Sequence, residues 1–174
     1  TLSKEKKSNV LYIESLGIRK PTLSSSADLI RISKRLFSKK VKKNTKNQSE
    51  ITIYKPKIIP ISLCNNFFNR LNIFLISSFI NKFLKKGIYT EIVIWTFHPF
   101  YVKEIINNLN RDINKVVYNS VDDLSSIAGI NKHIFLNSEN NFVPYADIVF
   151  VTNKVIYDRL KVIANDIKYY PNVV

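Results

Sequence analysis

The sequence predicts an α/β fold with a Rossmann-like parallel sheet that has helices on both faces. Short, almost continuous apolar runs alternate with amphipathic segments, the pattern of strands that are buried on both sides and joined by helical crossovers. The 174 residues are 45% hydrophobic and 23% charged, which suits one core-bearing domain over residues 1–174. No apolar run approaches the roughly 18 residues that a membrane-spanning helix needs. The single cysteine, Cys64, excludes an internal disulfide.

The first 60 residues contain two predicted strands and a basic helix. The strands are Val10–Glu14 and Ile51–Tyr54, both short apolar runs rich in strand formers. Between them, Asp28 stands where an N-cap is expected, ahead of apolar residues at helical spacing and of many cations. This pattern predicts a basic amphipathic helix over Asp28–Lys43.

A long helix is predicted from about Asn66 to Lys86, where a basic last turn and Gly87 as a C-cap glycine form a stop signal. Two interpretations of its apolar face stay open. The face packs in the core, or part of it lies on an anionic membrane together with the basic helix. The predicted face consists of Phe67, Phe68, Leu71, Phe74, Leu75, Phe79 and Phe83.

The second half continues the alternation. Strands are predicted at Glu91–Thr96, Lys115–Tyr118, Asp147–Thr152 and Ile167–Tyr170, and helices at Phe100–Leu109 and Lys154–Asn165. Residues 125–141 are ambiguous. Because ligands bind at the carboxyl ends of parallel strands, the loops of interest are Glu14–Arg19, Thr96–Pro99, Asn119–Asp123 and Thr152–Asn153.

The net charge of +14 is concentrated at one end. Residues 1–60 carry 15 Lys and Arg against four Asp and Glu, a balance of +11, whereas residues 61–174 carry 12 against nine, a balance of +3. Such a patch attracts phosphate-bearing small molecules, nucleic acid or anionic lipid. Charge alone does not choose among them.

The residues permit acid–base chemistry more readily than nucleotide or metal chemistry. There is no glycine-rich phosphate loop, and one cysteine with two histidines cannot form a metal site of the usual spacings. Asp122 and Asp123 follow a strand, where a carboxylate can act as a general base or simply cap the next helix. His98 can contact a sugar or phosphate, or only anchor its loop, and Glu14 and Arg19 can grip an anionic group or lie solvated.

Five blocks resemble the N-terminal half of bacterial two-domain glycosyltransferases with the GT-B fold, most closely the retaining family-4 group that builds capsule, exopolysaccharide and teichuronic-type polymers. The blocks are Val10–Pro21, Ile94–Pro99, Val117–Asp123, Ala146–Asn153 and Tyr170–Asn172. The resemblance implies an acceptor-binding domain that lacks its first strand and helix, with a C-terminal donor domain missing after it. A nucleotide-sugar donor would bind that missing domain, so no cofactor or metal is expected in this chain.

The resemblance implies a function in cell-surface polysaccharide synthesis. The parent enzyme would transfer a sugar to a glycan or lipid-linked acceptor at the cytoplasmic side of the plasma membrane, and this chain alone would be inactive. Asp122 and Asp123 are the implied catalytic residues, and Glu14, Arg19, His98 and Asn153 the implied acceptor-binding residues. The expected contacts to anionic lipid are Arg31, Lys34, Arg35, Lys39, Lys42 and Lys43. The alternatives are a basic module that binds nucleic acid, which is not the expected partner, and an inactive truncated remnant.

Overall fold

The computed structural model describes residues 9–14, 42–44, 51–56 and 66–171, with only the backbone at 42–44. The chain divides into two compact units, residues 1–68 and residues 69–174. Each unit has a sheet with parallel strands. The α/β class predicted from the sequence is therefore confirmed.

The first unit contains a three-stranded sheet in the order β1-β3-β2. Strands β1 (Val10–Ile13) and β3 (Ile51–Tyr54) pair in parallel, with Val10 opposite Ile51. Both strands were predicted from their apolar runs, and both are confirmed.

Strand β2 (Lys42–Asn44) corrects the prediction of a basic helix that ends at Lys43. It pairs antiparallel to β3, so that Lys42 lies opposite Ile53 and Lys43 opposite Thr52. Backbone pairing with β3 outweighs a helix propensity that differs by only tenths of a kcal/mol between residue types. The rest of the predicted helix lies outside the described residues.

The second unit is built on a four-stranded parallel sheet in the order β4-β5-β6-β7. Its strands are β4 (Val93–Thr96), β5 (Lys115–Ser120), β6 (Ile148–Val151) and β7 (Ile167–Tyr169). Its helices are α1 (Asn66–Leu84), which begins at the division between the units, α2 (Val102–Asn107), α3 (Lys132–Phe142) and α4 (Lys154–Leu160). The alternation predicted beyond Gly87 is confirmed, although α2 and α4 are shorter than expected.

One face of this sheet forms the core of the second unit. Val116 and Tyr118 of β5 and Val149 and Val151 of β6 pack against apolar residues of the helices, and all four are at most 5% exposed. Such side chains each contribute roughly 1.5–3 kcal/mol by leaving water. The members supplied by the helices are Val102, Ile106, Phe142, Ile156 and Leu160.

The opposite face is covered incompletely. Val93 and Trp95 of β4 are 50% and 48% exposed. The Trp95 ring stacks on that of Phe150 at 5.6 Å, and the Phe150 ring meets that of Tyr170 at 5.8 Å. A row of aromatic rings therefore crosses this face, where the sequence predicted helical cover.

Of the two interpretations of the apolar face of α1, packing of the whole face in the core does not hold, although Phe68, Phe79 and Phe83 are partly buried. Phe67 and Phe74 are 70% and 64% exposed. The side of α1 that is buried instead carries Asn72, Ile76, Ser77 and Leu84. Because two of these buried residues are polar, a hydrophobicity pattern does not identify this side as the buried one. In the part of the chain that the structure describes, no helix has the length and apolar character to cross a bilayer.

Gly87 follows the end of α1, but it does not act as a left-handed C-cap. Among the described glycines only Gly129 has a positive φ. A Cβ at Gly87 would lie 2.6 Å from the ring of Tyr89, which stacks on Phe83 with centroids 6.0 Å apart. The glycine is needed for space beside that ring rather than for its backbone angles.

Candidate functional site

The candidate site is the carboxyl edge of the four-stranded sheet. Because β4, β5 and β6 run in parallel and pair directly, the loops that follow them emerge at the same edge. These loops carry His98, Asp122 with Asp123, and Thr152 with Asn153. The sequence named all of these positions except Thr152 as site residues.

His98 lies in a tight turn after β4. The Thr96 hydroxyl donates to the His98 carbonyl oxygen at 2.7 Å, which closes the turn on the strand end. The imidazole is half-buried and lies against Phe100, and its Nδ1 is buried with no hydrogen-bond partner in the described part of the chain. Burial lowers the pKa of His98 to about 4. The ring is therefore neutral near pH 7, suited to exchanging a hydrogen bond with a neutral hydroxyl.

The two adjacent aspartates have different surroundings. The Asp123 carboxylate accepts from the Ser125 backbone N–H at 3.1 Å and caps the 3₁₀ turn Leu124–Ser126. It also lies 3.6 Å from the Arg159 guanidinium. Asp122 is exposed, and its carboxylate has no hydrogen bond or ion pair to any described residue. The capping alternative thus holds for Asp123, and Asp122 keeps an open carboxylate.

Arg159 connects Asp123 to a buried acid on the neighbouring helix. Glu139 of α3 is fully buried, and its Oε2 lies 2.8 Å from an Arg159 terminal nitrogen. The angles at these two atoms do not fit a hydrogen bond, so the contact is an ion pair. The Tyr118 hydroxyl donates to Glu139 Oε1 at 2.8 Å. The "anchor chain" Tyr118–Glu139–Arg159–Asp123 therefore leads from the core to the loop after β5.

The anchor chain shifts the acidity of its members. Burial raises the pKa of Glu139, although the Arg159 charge and the Tyr118 hydrogen bond oppose the rise. Burial also raises the pKa of Tyr118, and the nearby Glu139 adds to this. For Asp123, partial burial would raise the pKa, but the bonds from Ser125 and the charge of Arg159 outweigh it and hold the pKa below its usual value. A carboxylate with a lowered pKa is a weak base, so Asp123 is suited to holding the loop.

The loop after β6 is tied to the loop after β5. The Thr152 hydroxyl donates to the Val121 carbonyl oxygen at 2.6 Å. The Asn153 side chain accepts from the Val155 N–H at 2.7 Å and caps α4. Asn153 is thus at the predicted edge, but its Oδ1 is already used within the protein.

The remaining predicted residues fall outside this edge. Glu14 belongs to the first unit, where its carboxylate lies 2.8 Å from the Lys55 ammonium, so a shared acceptor cleft with His98 stays a prediction. Five predicted residues lie outside the described ones: Arg19, Arg31, Lys34, Arg35 and Lys39. No group of three or more His, Cys, Asp or Glu side chains that could hold a metal ion occurs within the described ranges.

The sequence patterns did not identify Tyr118, Glu139 or Arg159 as residues of the site. A signal existed in the region left ambiguous, because Glu139 is spaced four residues after Phe135 and three before Phe142, both buried on α3. A carboxylate at a core position of a helix requires a buried partner. The pattern could have revealed the acid, but only the fold shows that Arg159 is the partner.

The residues at this edge are suited to acid–base chemistry on a hydroxyl group. Asp122 can accept a proton, His98 can orient a hydroxyl, and Asp123 holds the loop that carries Asp122. Comparisons with protein-family models, curated proteins and solved structures found no match.

Proposed function

We propose that this chain is the acceptor-side domain of a GT-B glycosyltransferase that acts in cell-surface polysaccharide synthesis. The supporting observation is that His98, Asp122 and Asn153 follow three adjacent parallel strands, so three of the five blocks that resemble the family meet at one edge. A sugar-nucleotide donor would bind a second domain. The acceptor, a glycan or lipid-linked glycan, would bind along this edge.

In this proposal Asp122 is the proton acceptor. An acceptor hydroxyl oxygen forms a bond to the anomeric carbon of the donor on the face from which the diphosphate leaves, the bond from that carbon to the diphosphate breaks, and the hydroxyl proton passes to the Asp122 carboxylate. His98 accepts or donates a hydrogen bond that orients the acceptor. Asp123, held by Arg159, keeps Asp122 in place.

The test uses the longest open reading frame that contains this chain, incubated with uridine and guanosine diphosphate sugars and a membrane-lipid extract. Release of nucleoside diphosphate is the measurement. Asp122→Asn should lower kcat by about 10²–10⁴-fold, while the matched control Asp158→Asn, on the exposed side of α4, should leave it unchanged. Unaltered release by the Asp122→Asn enzyme would contradict the assignment.

A second candidate function is supported by the aromatic row on the open face of the sheet. Trp95 and Tyr170 are 48% and 61% exposed, and bases of single-stranded nucleic acid stack on aromatic side chains presented by sheets. Together with the net charge of +14, this favours nucleic-acid binding over an inert remnant. Tight binding of a fluorescent oligonucleotide by the wild-type chain, weakened in Trp95→Ala, would favour this candidate over sugar transfer.

A further inference from the structure

Helix α1 exposes a continuous apolar side. We call Leu71, Phe74 and Leu75 the α1 stripe, because spacings of three and four residues place them on one side of a helix. They are 37%, 64% and 38% exposed. The stripe faces away from the buried side of the same helix. A group of large apolar side chains left in water in this way marks an interaction surface.

The charges around the stripe are positive and favour an anionic partner. No Asp or Glu occurs between Asn66 and Thr90, whereas Arg70, Lys82, Lys85 and Lys86 are all exposed. Lys82 lies seven residues after Leu75 and so on the same side as the stripe. Packing two copies of this helix together would place cations against cations, which costs free energy.

We propose that the α1 stripe docks on an anionic lipid surface, with α1 lying in the plane of the headgroups. The apolar side chains enter the boundary between headgroups and acyl chains, and the flanking cations contact acidic headgroups. An acidic protein would pair with the cations, but it gives no general reason for the exposed apolar side chains of the stripe. The proposal goes beyond sugar transfer and does not depend on it.

This assignment keeps the membrane interpretation of the α1 face and changes the cations that accompany it. The sequence-based expectation used cations from Arg31 to Lys43, of which Lys42 and Lys43 lie in strand β2 and the others outside the described residues. Helix α1 has 19 residues, a length of roughly 28 Å at 1.5 Å per residue. A helix of that length lying flat presents both its apolar stripe and its cationic end to one surface.

The first experiment measures flotation of the full chain with phosphatidylcholine vesicles, with and without phosphatidylglycerol. Wild type should bind only the anionic vesicles. A Leu71→Ser, Phe74→Ser, Leu75→Ser variant should bind them at least about tenfold more weakly. The matched control is Val155→Ser with Val162→Ser, because these side chains are also exposed, at 69% and 77%, but lie outside α1.

The second experiment separates local charge from the total charge of the chain. Replacing Lys85 and Lys86 by Gln should weaken binding about fivefold per lysine at low salt. Replacing Lys115 and Lys132 by Gln changes the net charge equally at exposed positions elsewhere and should have a much smaller effect. Equal losses in the two pairs would overturn the proposal, because any cationic surface would then serve.

A spectroscopic measurement keeps the proposal testable if the triple serine variant does not fold. In a Phe74→Trp, Trp95→Phe protein the only tryptophan lies on the stripe, and its emission should shift to shorter wavelength with anionic vesicles. Three results would each overturn the proposal. The emission could stay unshifted while the protein is bound, or the wild type could fail to bind vesicles. The third is a stripe variant that loses oligonucleotide binding but keeps vesicle binding.

Discussion

Removing Arg159 should lower the free energy of unfolding, because its charge compensates the buried Glu139 carboxylate in the anchor chain. In Arg159→Met the fully buried Glu139 carboxylate loses the guanidinium that lies 2.8 Å away. The Coulomb attraction at that distance is about 6 kcal/mol at an effective dielectric constant of about 20. Because the desolvation of both groups offsets part of this, the expected loss in free energy of unfolding is about 3–5 kcal/mol near neutral pH.

The loss should depend on pH in a defined direction. Burial raises the pKa of Glu139 in the folded protein above its usual value of 4.5, and loss of Arg159 raises it further. The unfolded chain then releases the Glu139 proton at a lower pH than the folded chain, so the destabilisation grows as pH rises above 4.5. Its growth is at most about 1.4 kcal/mol per pH unit, and in acid the protonated side chain is tolerated.

The assay is urea denaturation of wild type and Arg159→Met at about pH 5 and about pH 8. Comparing the two proteins at each pH cancels the titration of groups whose pKa does not depend on Arg159, which leaves Glu139, Tyr118 and Asp123. The double variant Arg159→Met, Glu139→Gln should recover much of the stability, because a neutral amide still accepts from the Tyr118 hydroxyl. A loss that is the same at both pH values, or a double variant as unstable as Arg159→Met alone, would refute the reasoning.

Three further predictions concern the site and its supports. Burial lowers the pKa of His98 from 6.5 to about 4, so its contribution to stability is complete above pH 6.5 and is lost as pH falls from 6.5 to about 4. The free energy of unfolding should therefore fall less in acid for His98→Gln than for wild type, and an identical fall would exclude this histidine as the cause. Asn153→Ala should lose about 1 kcal/mol because the cap of α4 disappears, whereas Asn153→Asp should retain it, as thermal melting can check. Gly87→Ala should cost at most about 1 kcal/mol, because the new Cβ meets only the far end of the Tyr89 side chain, which can shift. Tyr89→Ala should remove that cost in the double variant, and a larger loss that Tyr89→Ala does not rescue would argue against this clash.

The strands were predictable because they have two local signals. Short runs of β-branched and aromatic residues bounded by polar segments identified β1, β3, β4, β5, β6 and β7, since burial on a sheet requires such side chains. Strand β2 lacked this signal, because Lys42–Asn44 forms a strand through pairing with β3. The pairing partners lie outside this three-residue segment, so its own pattern does not contain them.

Local signals were less reliable for the faces of helices. The phenylalanines of α1 mark an amphipathic helix, but the sequence does not state which side meets the core. Asn72 and Ser77 lie on the buried side, where the Ser77 hydroxyl donates to the Phe74 carbonyl oxygen. Polar groups whose hydrogen bonds are met locally can be buried at little cost, and this makes burial hard to derive from hydrophobicity.

The sequence by itself determined the α/β class, most of the strands, and the three loops that carry His98, Asp122 and Asn153, because these follow from short-range patterns. Only the tertiary structure decided which contacts the polar side chains of these loops make. It joined Asp123 to Arg159 and left Asp122 open, it buried Glu139, and it turned the α1 stripe outward. The physical reason is that the pKa, exposure and partners of a side chain depend on groups brought close by folding, such as Glu139 and Arg159, which are far apart along the chain.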